Sequence, residues 1–234
     1  MKIAIMQPYF LPYIGYFQLI NAVDKFVVYD DVNYIKKGWI NRNFINIGNE
    51  KHLVTVPLSN SSQNQKINGV KLSEEEYLNW LTKLKKTIFH AYRKAEFFME
   101  VSELIYDVLN NPPEYISELN FILIKRICKN IGIETNFVQT ATIYRNQGKK
   151  GQDRIVDICK KEDADTYINP IGGRDLYSKE VFANHGIELF FIKFTEIRYK
   201  QLGNGFVDNL SILDVMMHNS VEVVKRLINR YELV

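Results

Sequence analysis

The sequence has few cysteines, few histidines and no long apolar run, and each shortage excludes a class of protein. Its two cysteines, Cys128 and Cys159, lie inside apolar helical patterns, so we expect neither a disulfide framework nor a cysteine-based zinc site. The four histidines are far apart, with no pair spaced to ligate one metal ion, which argues against a metal site. No apolar run approaches the roughly 20 residues that cross a bilayer, and Met1 leads directly into a strand pattern. We therefore expect a cytoplasmic protein without a signal peptide or a membrane span.

Neither sign of charge dominates, and the signatures of several common enzymes are missing. The formal net charge is +3 and the basic residues form no concentrated stripe, so duplex nucleic acid is not an expected ligand. No G-x-G-x-x-G or G-x-S-x-G pattern occurs, which removes the usual dinucleotide fingerprint and the nucleophile elbow. With 234 residues the chain is long enough for one substantial domain. Aromatic residues are abundant instead, with 14 Tyr and 14 Phe, and many of them are crowded near the N-terminus.

The N-terminal segment has the pattern of a βαβ unit. Residues 2–6 form a short apolar strand, residues 15–22 a helix, and residues 25–29 a second, nearly continuous apolar strand. Such strands are typical of parallel sheets that are covered on both faces. Residues 43–47 and 52–56 flank a Gly-Asn-Glu turn and predict a β-hairpin.

A helical region follows, and the chain then returns to alternating strands and helices. Ser73 with Glu76 three residues later is a capping box, and apolar residues at helical spacing follow it. We interpret residues 73–131 as a helical insertion or cap. The other predicted elements are helices at 95–109 and 113–131, a strand at 136–139, a helix at 151–161, a strand at 166–168, a helix at 178–184, a strand at 187–192, and helices at 211–217 and 219–231. The sequence therefore predicts one α/β domain over residues 1–234 with a mainly parallel, Rossmann-like sheet.

The first candidate site is the loop between the first strand and the first helix. In open α/β sheets ligands bind beyond the carboxyl ends of the strands, and Gln7 lies at such an end. Gly15 would let a ligand approach closely, and Tyr13 and Tyr16 offer phenolic donors. The same aromatic residues, and prolines such as Pro8, are equally expected if they only pack the sheet against its first helix.

Polar residues follow the second strand at the same edge of the sheet. Asp30, Asp31 and Asn33 offer oxygen atoms that could bind Mg²⁺, accept a proton or hold a ribose hydroxyl group. Aspartates at strand ends are also common in turns, so the pair alone does not decide between these roles.

Three further segments place cationic side chains after predicted strands or before a helix. Their candidate ligand-binding residues are Trp39, Asn41, Arg42, Lys149, Lys150, Gly172, Gly173, Arg174 and Asp175. Arg42 suits bidentate contact with phosphate, but a solvated arginine beside a packed Trp39 fits equally well. The basic loop at 148–154 opens a helix and could grip phosphate, but it lacks Walker A spacing, and an exposed loop is the simpler interpretation. The Gly-Gly-Arg-Asp segment is the stronger signal, because a purely structural turn needs neither Arg174 nor Asp175.

Together these segments resemble the WbqC-like protein family, which is found in bacterial surface-polysaccharide gene clusters. The matching motifs are MQPYFLPYIGYF at 6–17, YDDV at 29–32, WINR at 39–42, YINPIGG at 167–173, and a segment that runs from Gln201 through Phe206 to LSILD at 210–214. Through this resemblance Gln201, Ser211 and Asp214 join the expected substrate-binding residues. The role suggested for the family is transfer of an amino acid, glycine, in O-antigen synthesis.

The opening βαβ unit is also similar to HUP-type nucleotidyltransferases, pantothenate synthetase above all, in which an H-x-G-H loop binds the phosphates of ATP. Tyr13-Ile14-Gly15-Tyr16 stands at that position here, so two tyrosines without positive charge replace both histidines. Under this similarity Lys149 and Lys150 would supply the missing charge. The similarity implies ATP and Mg²⁺ as cofactors.

These inferences lead to one main hypothesis and two alternatives. The main hypothesis is a transferase that attaches an acyl or aminoacyl group to the amine of a nucleotide-linked sugar, through an acyl adenylate if the HUP similarity holds. Gln7, Tyr13 and Tyr16 would position the donor, while Asp30 would act as a base or hold Mg²⁺. Phosphate-binding roles would go to Arg42, Lys149, Lys150 and Arg174.

The partners expected under this hypothesis are a nucleotide sugar and an acyl or amino-acid donor, and a homo-oligomer is compatible with it. The first alternative is a non-catalytic protein that binds a nucleotide sugar or a partner enzyme through the aromatic loop. The second is an enzyme that takes its acyl group from acyl-CoA or aminoacyl-tRNA and needs no ATP.

Overall fold

A six-stranded sheet forms the centre of the computed structural model, which describes residues 1–234. The strands of the chain are β1 (Lys2–Met6), β2 (Lys25–Val28), β3 (Arg42–Ile47), β4 (Glu50–Thr55), β5 (Leu58–Ser59), β6 (Lys71–Leu72), β7 (Asn136–Val138), β8 (Thr166–Pro170), β9 (Glu188–Phe194) and β10 (Tyr231–Leu233). The helices are α1 (Ile14–Asn21), α2 (Glu74–Tyr92), α3 (Phe98–Asn110), α4 (Ile116–Asn130), α5 (Gly151–Lys161), α6 (Lys179–Ala183), α7 (Ile212–His218) and α8 (Val221–Ile228). None of them combines the length and apolar character that a membrane crossing requires.

The strand order of the central sheet is β10-β9-β8-β1-β2-β7. Five of the strands are parallel, and β10 alone runs antiparallel to its neighbour β9. After β7 the chain returns to the middle of the sheet and places β8 beside β1, so the direction of strand addition reverses there. In α/β sheets such a reversal opens a crevice at the carboxyl ends of the two central strands. The arrangement confirms the predicted α/β class and its mainly parallel, Rossmann-like sheet.

Alternate residues of the strands face two separate cores. Ile3 and Ile5 of β1 pack with residues of α5 and α6, whereas Ala4 packs on the opposite face with α1 and the other helices. This alternation follows from the period of two in a β-strand, and burial on both faces explains why β1 and β2 are nearly continuously apolar.

The region between β6 and β7 contributes three helices to the larger of the two cores. Side chains of α2, α3 and α4 belong to the same buried cluster as those of α1, α7 and α8. Ser73 caps α2, because its hydroxyl oxygen accepts a hydrogen bond from the Glu76 amide at 3.3 Å, as the capping box predicts. These helices therefore pack into the body of the protein and support the loops above them.

Most predicted elements occur within two or three residues of their observed bounds, but the C-terminal prediction is wrong. A single helix over 219–231 is expected from the sequence, whereas α8 ends at Ile228 and Tyr231–Leu233 forms the edge strand β10. Tyr231 continues the helical spacing of apolar residues, yet pairing with Phe194 of β9 draws it into the sheet. This long-range pairing overrides the local periodicity.

Candidate functional site

The loop after β1 is held rigidly by hydrogen bonds to its backbone carbonyl groups. The Gln7 carbonyl accepts a bond from the Tyr16 hydroxyl at 2.8 Å, and the Pro8 carbonyl accepts one from Asn120 of α4 at 3.0 Å. Leu11, which has a positive φ of 41°, is fixed by bonds to its carbonyl from Asn43 and Ser211, each 2.8 Å long. Buried backbone groups need such partners, and here they come from distant parts of the chain.

Three side chains act as clamps on this loop, and each comes from a different element. Asn43 of β3 also donates to the Phe10 carbonyl at 3.1 Å, and Asn120 also donates to the Ile40 carbonyl at 2.7 Å. Ser211 directly precedes α7, and the Ile212 amide bonds to the Pro12 carbonyl at 2.9 Å. The loop therefore keeps one shape and presents the Tyr9 and Tyr13 rings outward.

Beside this loop lies a cavity of about 500 Å³, which we call the aromatic cavity. Its lining residues are Tyr9, Pro12, Tyr13, Trp39, Asn43, Phe44, Lys51, Phe194 and Asn209. Tyr9 follows β1 and Phe194 ends β9, so the cavity lies at the carboxyl edge of the sheet, close to the strand reversal. The volume falls within the range of about 300–1,000 Å³ that is typical of small-molecule sites.

A second cavity of about 340 Å³ adjoins the first, and we call it the side cavity. Tyr13, Phe194 and Asn209 line both cavities. The remainder of its wall comes mainly from the irregular segment 195–210 and from the outer face of α1. An ion pair of 2.7 Å between Lys51 and Asp208 joins the walls of the two cavities.

The structure shows why the chain needs glycine at position 15. A Cβ atom on Gly15 would lie 2.3 Å from the Tyr13 ring and 3.0 Å from the Phe194 ring. The space that the glycine leaves is thus filled by the protein's own aromatic rings, which pack edge to face. Tyr16 is 2% exposed, and its hydroxyl is already bonded to the Gln7 carbonyl.

Asp30 and Asp31 follow β2, but their carboxyl groups point to different partners. The Thr140 hydroxyl donates to Oδ1 of Asp30 at 2.8 Å, and the Ala141 amide donates to the same atom at 3.2 Å. Burial raises the pKa of the Asp30 carboxyl group to about 6, against the opposing effect of these two hydrogen bonds. The Asp30 carboxyl group therefore takes up a proton at a higher pH than an exposed aspartate does.

Asp31 belongs to a buried polar cluster at the start of α5. Its Oδ2 atom forms an ion pair with Arg154 and accepts a hydrogen bond from Gln147 at 3.0 Å, whereas its Oδ1 atom is buried without a partner. The Arg154 guanidinium also lies 4.8 Å from the centre of the Tyr29 ring and donates to Asn146 at 2.9 Å. The sequence places Arg154 at the end of the basic loop 148–154 but does not predict its pairing with Asp31, because only the fold brings α5 to the end of β2.

The two lysines before α5 have different surroundings. Lys149 forms an ion pair with Asp157, and Lys150 is exposed and pairs with no carboxylate. Although burial raises the pKa of Asp157, hydrogen bonds from Lys149 and Asn146 outweigh that effect and bring it well below its usual value. Of these two lysines, only Lys150 has no carboxylate partner and is free to bind a phosphate group.

The residues of the WINR motif have structural contacts in the fold. Asn41 is buried, accepts a bond from the Tyr34 hydroxyl and donates to the Val56 carbonyl, both at 2.9 Å. Arg42 donates to the carbonyls of Lys37 and Gly38 and lies 6.0 Å from the centre of the Trp39 ring. Trp39 itself is partly exposed and lines the aromatic cavity.

The remaining predicted residues of the strand ends lie outside both cavities. Asn33 is exposed and accepts a bond from Lys66 at 2.7 Å. Gly173 packs against the side chain of Asn169, where a Cβ atom would lie 2.1 Å from Nδ2. Gly172, Arg174 and Asp175 are exposed on the 3-10 helix Ile171–Leu176.

A buried network around Asp214 holds the segment that walls the side cavity. The Asp214 carboxylate has no exposed surface and accepts bonds from the hydroxyl groups of Tyr92 at 2.9 Å and Tyr199 at 2.7 Å. Gln201 donates to the same carboxylate at 2.8 Å. The Nε2 atom of His218 accepts a hydrogen bond from the Leu202 backbone amide. The ring proton therefore lies on Nδ1, which donates to the backbone carbonyl of Asp214. Gln201 and Asp214 thus fix segment 195–210 from beneath.

Comparison with known proteins identifies the family. The model of the WbqC-like protein family matches residues 7–226, which is most of the sequence. The chain belongs to the WbqC-like protein family. Its match begins at Gln7, the first residue of the clamped loop, and includes every residue that clamps that loop or lines the two cavities.

A relative of similar length occurs in Mycobacterium tuberculosis (strain ATCC 25618 / H37Rv). This WbqC-like chain is 30% identical to the uncharacterized protein Rv1507c over 224 residues, which cover 94% of the chain and 95% of that protein. No solved structure matches the chain.

The WbqC-like site does not fit ATP in the way an H-x-G-H loop would hold it. The Tyr13 ring occupies the space above Gly15, the Tyr16 hydroxyl is bonded within the protein, and no cation lies in this turn. Asp30 and Asp31 also bind separate partners, and no group of three or more His, Cys, Asp or Glu side chains is placed to hold a metal ion.

Several residues of the site have no signal in the sequence. Asn43, Lys51 and Asn209 are single polar residues without a motif, and Phe194 is one apolar residue of an apolar strand. The sequence offers one hint, because Asn43 is a polar residue directly after the WINR motif. In the structure its side chain faces inward from β3.

Proposed function

We propose that this WbqC-like protein transfers an acyl or aminoacyl group to the amine of a nucleotide-linked sugar in the synthesis of O-antigen or another surface polysaccharide. The aromatic cavity would bind the nucleotide sugar. Five of its nine lining residues are aromatic, and flat rings of this kind stack on nucleobases and on sugar rings. This aromatic wall at the carboxyl edge of the sheet is the observation that carries the proposal.

Polar groups in the same cavity suit the rest of a nucleotide sugar. Lys51 would exchange its ion pair with Asp208 for the diphosphate, and the amide group of Asn209 can bond to hydroxyl groups, whereas Asn43 keeps its bonds to the Phe10 and Leu11 carbonyls. The side cavity, which shares Tyr13 and Phe194, would receive the donor group next to the bound sugar. Holding both reactants at one shared wall would supply the proximity that a transfer reaction needs.

In this proposal the donor arrives already activated, as a thioester or an ester. The amine of the sugar attacks the acyl carbon, an amide bond forms, the bond from that carbon to sulfur or oxygen breaks, and the amine releases a proton. Because the loop before α1 does not fit a triphosphate, we derive no step through ATP. The wall of the aromatic cavity has no carboxylate or imidazole, and the two carboxylates of the side cavity, Glu196 and Asp208, form ion pairs with Arg198 and Lys51. This arrangement favours a donor that needs little assistance from a base.

The binding part of this proposal is tested with Tyr13→Ala and Phe44→Ala in the full-length protein. Calorimetric titration with a panel of UDP-linked and dTDP-linked amino sugars should show that each variant binds at least about tenfold more weakly than the original protein, because a stacking surface is lost. Phe89→Ala removes a partly exposed aromatic ring from α2 and should leave the affinity unchanged. Failure of every nucleotide sugar to bind, or equal losses in all three variants, would contradict the proposal.

The transfer part is tested by mass spectrometry of the nucleotide sugars after incubation. Turnover with acyl-CoA or aminoacyl-tRNA in the absence of ATP supports the proposed route. Turnover only with free glycine or another acid plus ATP would replace it with the adenylate route.

A non-catalytic role is the second candidate, and one observation favours it. None of the nine residues that line the aromatic cavity is a carboxylate, an imidazole or a thiol. A protein of this kind would bind a nucleotide sugar and present it to a partner enzyme. Tight binding without turnover for any donor would establish this candidate over the transferase.

A further inference from the structure

Exposed apolar side chains lie on the loops at the carboxyl edge of the sheet. Ile35 is 52% exposed, Ile143 60% and Leu176 70%, and Trp39 is exposed on the rim of the aromatic cavity. Water-exposed aliphatic side chains are common singly, but several on one surface mark a place where another molecule binds. We refer to these four residues as the apolar tips.

The loops that carry the apolar tips are joined into one surface. Asn33, in the loop of Ile35 and Trp39, forms a bridge with Lys66, and Asn68 contacts Thr142 beside Ile143 at 3.3 Å. The turn that contains Leu176 is tied to the start of α5, because the Ser178 backbone amide donates a hydrogen bond of 3.1 Å to Oε1 of Gln152. The tips therefore belong to a continuous face.

The loops that carry the apolar tips are basic, whereas segment 195–210 at the same edge of the sheet has two cations and two carboxylates. Six exposed cations on this face have no ion pair with a carboxylate, namely Lys36, Lys37, Lys66, Arg145, Lys150 and Arg174. The loops between β2 and β3, between β5 and β6, and from β7 to α5 contain two carboxylates, Asp30 and Asp31, and both are buried. Asp175 is the one exposed carboxylate in the turn after β8.

At the opposite edge of the sheet the connecting loops are acidic, but cations at the ends of the neighbouring elements balance them, among them the α-amine of Met1, which pairs with Asp165, and Lys25, which pairs with Glu162. The loops that lead into β2, β7 and β8 carry the exposed residues Asp24, Glu134, Asp163 and Asp165, and they contain no lysine or arginine. The basic residues are scattered along the sequence, but the parallel topology gathers the loops after the strands at one edge. The basic loops therefore lie at the same edge of the sheet as the two cavities.

We propose that the carboxyl edge docks on a membrane surface that contains anionic lipids. Stable attachment to a bilayer surface takes two signals, and this face has both: aliphatic tips that can enter the headgroup region and cations that attract anionic headgroups. RNA would use the cations and aromatic rings but would leave Ile35, Ile143 and Leu176 without a function. Trp39 is one of the apolar tips and also lies on the rim of the aromatic cavity, so this cavity would open toward the lipid surface.

Co-sedimentation of the full-length protein with lipid vesicles tests this proposal. The protein should bind vesicles of phosphatidylcholine mixed with phosphatidylglycerol and should not bind vesicles of phosphatidylcholine alone. Replacing Lys36 and Lys37 together by Gln should weaken binding by about 25-fold, since each cation near an anionic leaflet contributes about fivefold. The matched control changes Lys83 and Lys86, two exposed lysines of α2, to Gln and should have no effect.

A second pair of variants tests the apolar signal. Ile143→Ser with Leu176→Ser should also weaken binding to the mixed vesicles by at least about tenfold. Leu78→Ser with Met99→Ser removes side chains of similar exposure, 73% and 72%, from the helical region and should leave binding unchanged. All of these positions are exposed, so the variants should fold, which their unfolding midpoints will show.

Three results would overturn the proposal. They are no binding to the mixed vesicles, equal binding to the neutral ones, and equal losses in edge and control variants. Binding of transfer RNA that the Lys36 and Lys37 changes abolish and the Ile143 and Leu176 changes leave intact would assign the face to RNA instead.

Discussion

The Asp214 carboxyl group is fully enclosed and receives three hydrogen bonds from neutral donors. The Tyr92 hydroxyl is fully used within the protein, because it also accepts a hydrogen bond from the backbone amide of Asn46 at 3.0 Å. Burial and the nearby carboxylate raise the pKa of both Tyr92 and Tyr199, so the two hydroxyl groups keep their protons. Asp214 therefore stabilises segment 195–210, and the substrate-binding role expected for it stays a prediction.

We predict that Asp214→Asn destabilises the protein by about 2–4 kcal/mol. With its oxygen facing Tyr199 and Gln201, the new amide would turn its NH2 group toward the Tyr92 hydroxyl, which is itself a donor and would lose its buried acceptor. Urea unfolding measures the free energy. Asp175→Asn, at an exposed position, should change it by less than about 0.5 kcal/mol, and a similar small change for Asp214→Asn would show that the network is unimportant.

Individual site residues could be predicted only where they belong to a motif. The sequence points to the loop after β1, and the structure places Tyr13 and Trp39 of the predicted residues in the wall of the aromatic cavity. Asn43 and Asn120 escape prediction because their function is to bond with carbonyl groups 32 to 112 residues away in the chain. The catalytic and binding roles assigned to Gln7, Tyr16 and Asp30 stay predictions.

Among the elements, α4 has a second task besides filling the core. Asn120 lies in its middle, is fully buried, and donates to the Pro8 and Ile40 carbonyls, which belong to two different loops at the site. The helix thus sets the distance between the aromatic loop and the WINR segment. Its amphipathic pattern was visible in the sequence, but this polar contact within the apolar face was not.

We predict that Asn120→Ala lowers stability by about 2–3 kcal/mol and also weakens ligand binding. Two buried carbonyl groups would lose their donor, and the loops would no longer be fixed relative to each other. Chemical unfolding and titration with the bound nucleotide sugar check the two effects. Ser117→Ala on the same helix is the control, since Ser117 is buried without a side-chain hydrogen bond to another residue, and it should affect neither quantity.

Strands and helices were predictable where the local pattern and the tertiary structure agree. Residues 2–6 and 151–161 have the predicted bounds, because their apolar residues follow one period and a clear signal marks each end. The edge strand β10 forms where the local pattern predicts a helix. No residue near Tyr231 indicates that one edge of β9 would be unpaired without it.

At the scale of the whole molecule, the carboxyl groups of Asp30 and Asp157 have pKa values shifted in opposite directions. They therefore make the free energy of unfolding depend on pH in opposite ways. The raised pKa of Asp30, about 6, means that the folded state binds this proton more tightly than the unfolded chain, whose aspartates titrate near 3.8. Its contribution is complete below about pH 4 and is lost as the pH rises to about 6. The lowered pKa of Asp157 gives a contribution that is present at neutral pH and is lost in acid.

We predict that Asp30→Asn stabilises the protein at pH 7.5 by about 1–2 kcal/mol, less than the full shift of the pKa, because the new NH2 group at this buried position needs a hydrogen-bond partner. The variant should match the original protein near pH 4, and the difference between them should grow up to about pH 6 and then level off. Unfolding free energies measured from pH 4 to 7.5 check this shape. A difference that does not change with pH would show that Asp30 is ionised throughout.

The carbonyl clamps on the loop after β1 also determine how a ligand would enter. A backbone that is already fixed by Asn43, Asn120 and Ser211 has little conformational entropy left to lose on binding. The rate of ligand association would then be limited by diffusion and orientation, with no slow rearrangement of the loop after contact. The protein would distinguish one nucleotide sugar from another chiefly by how long each stays bound.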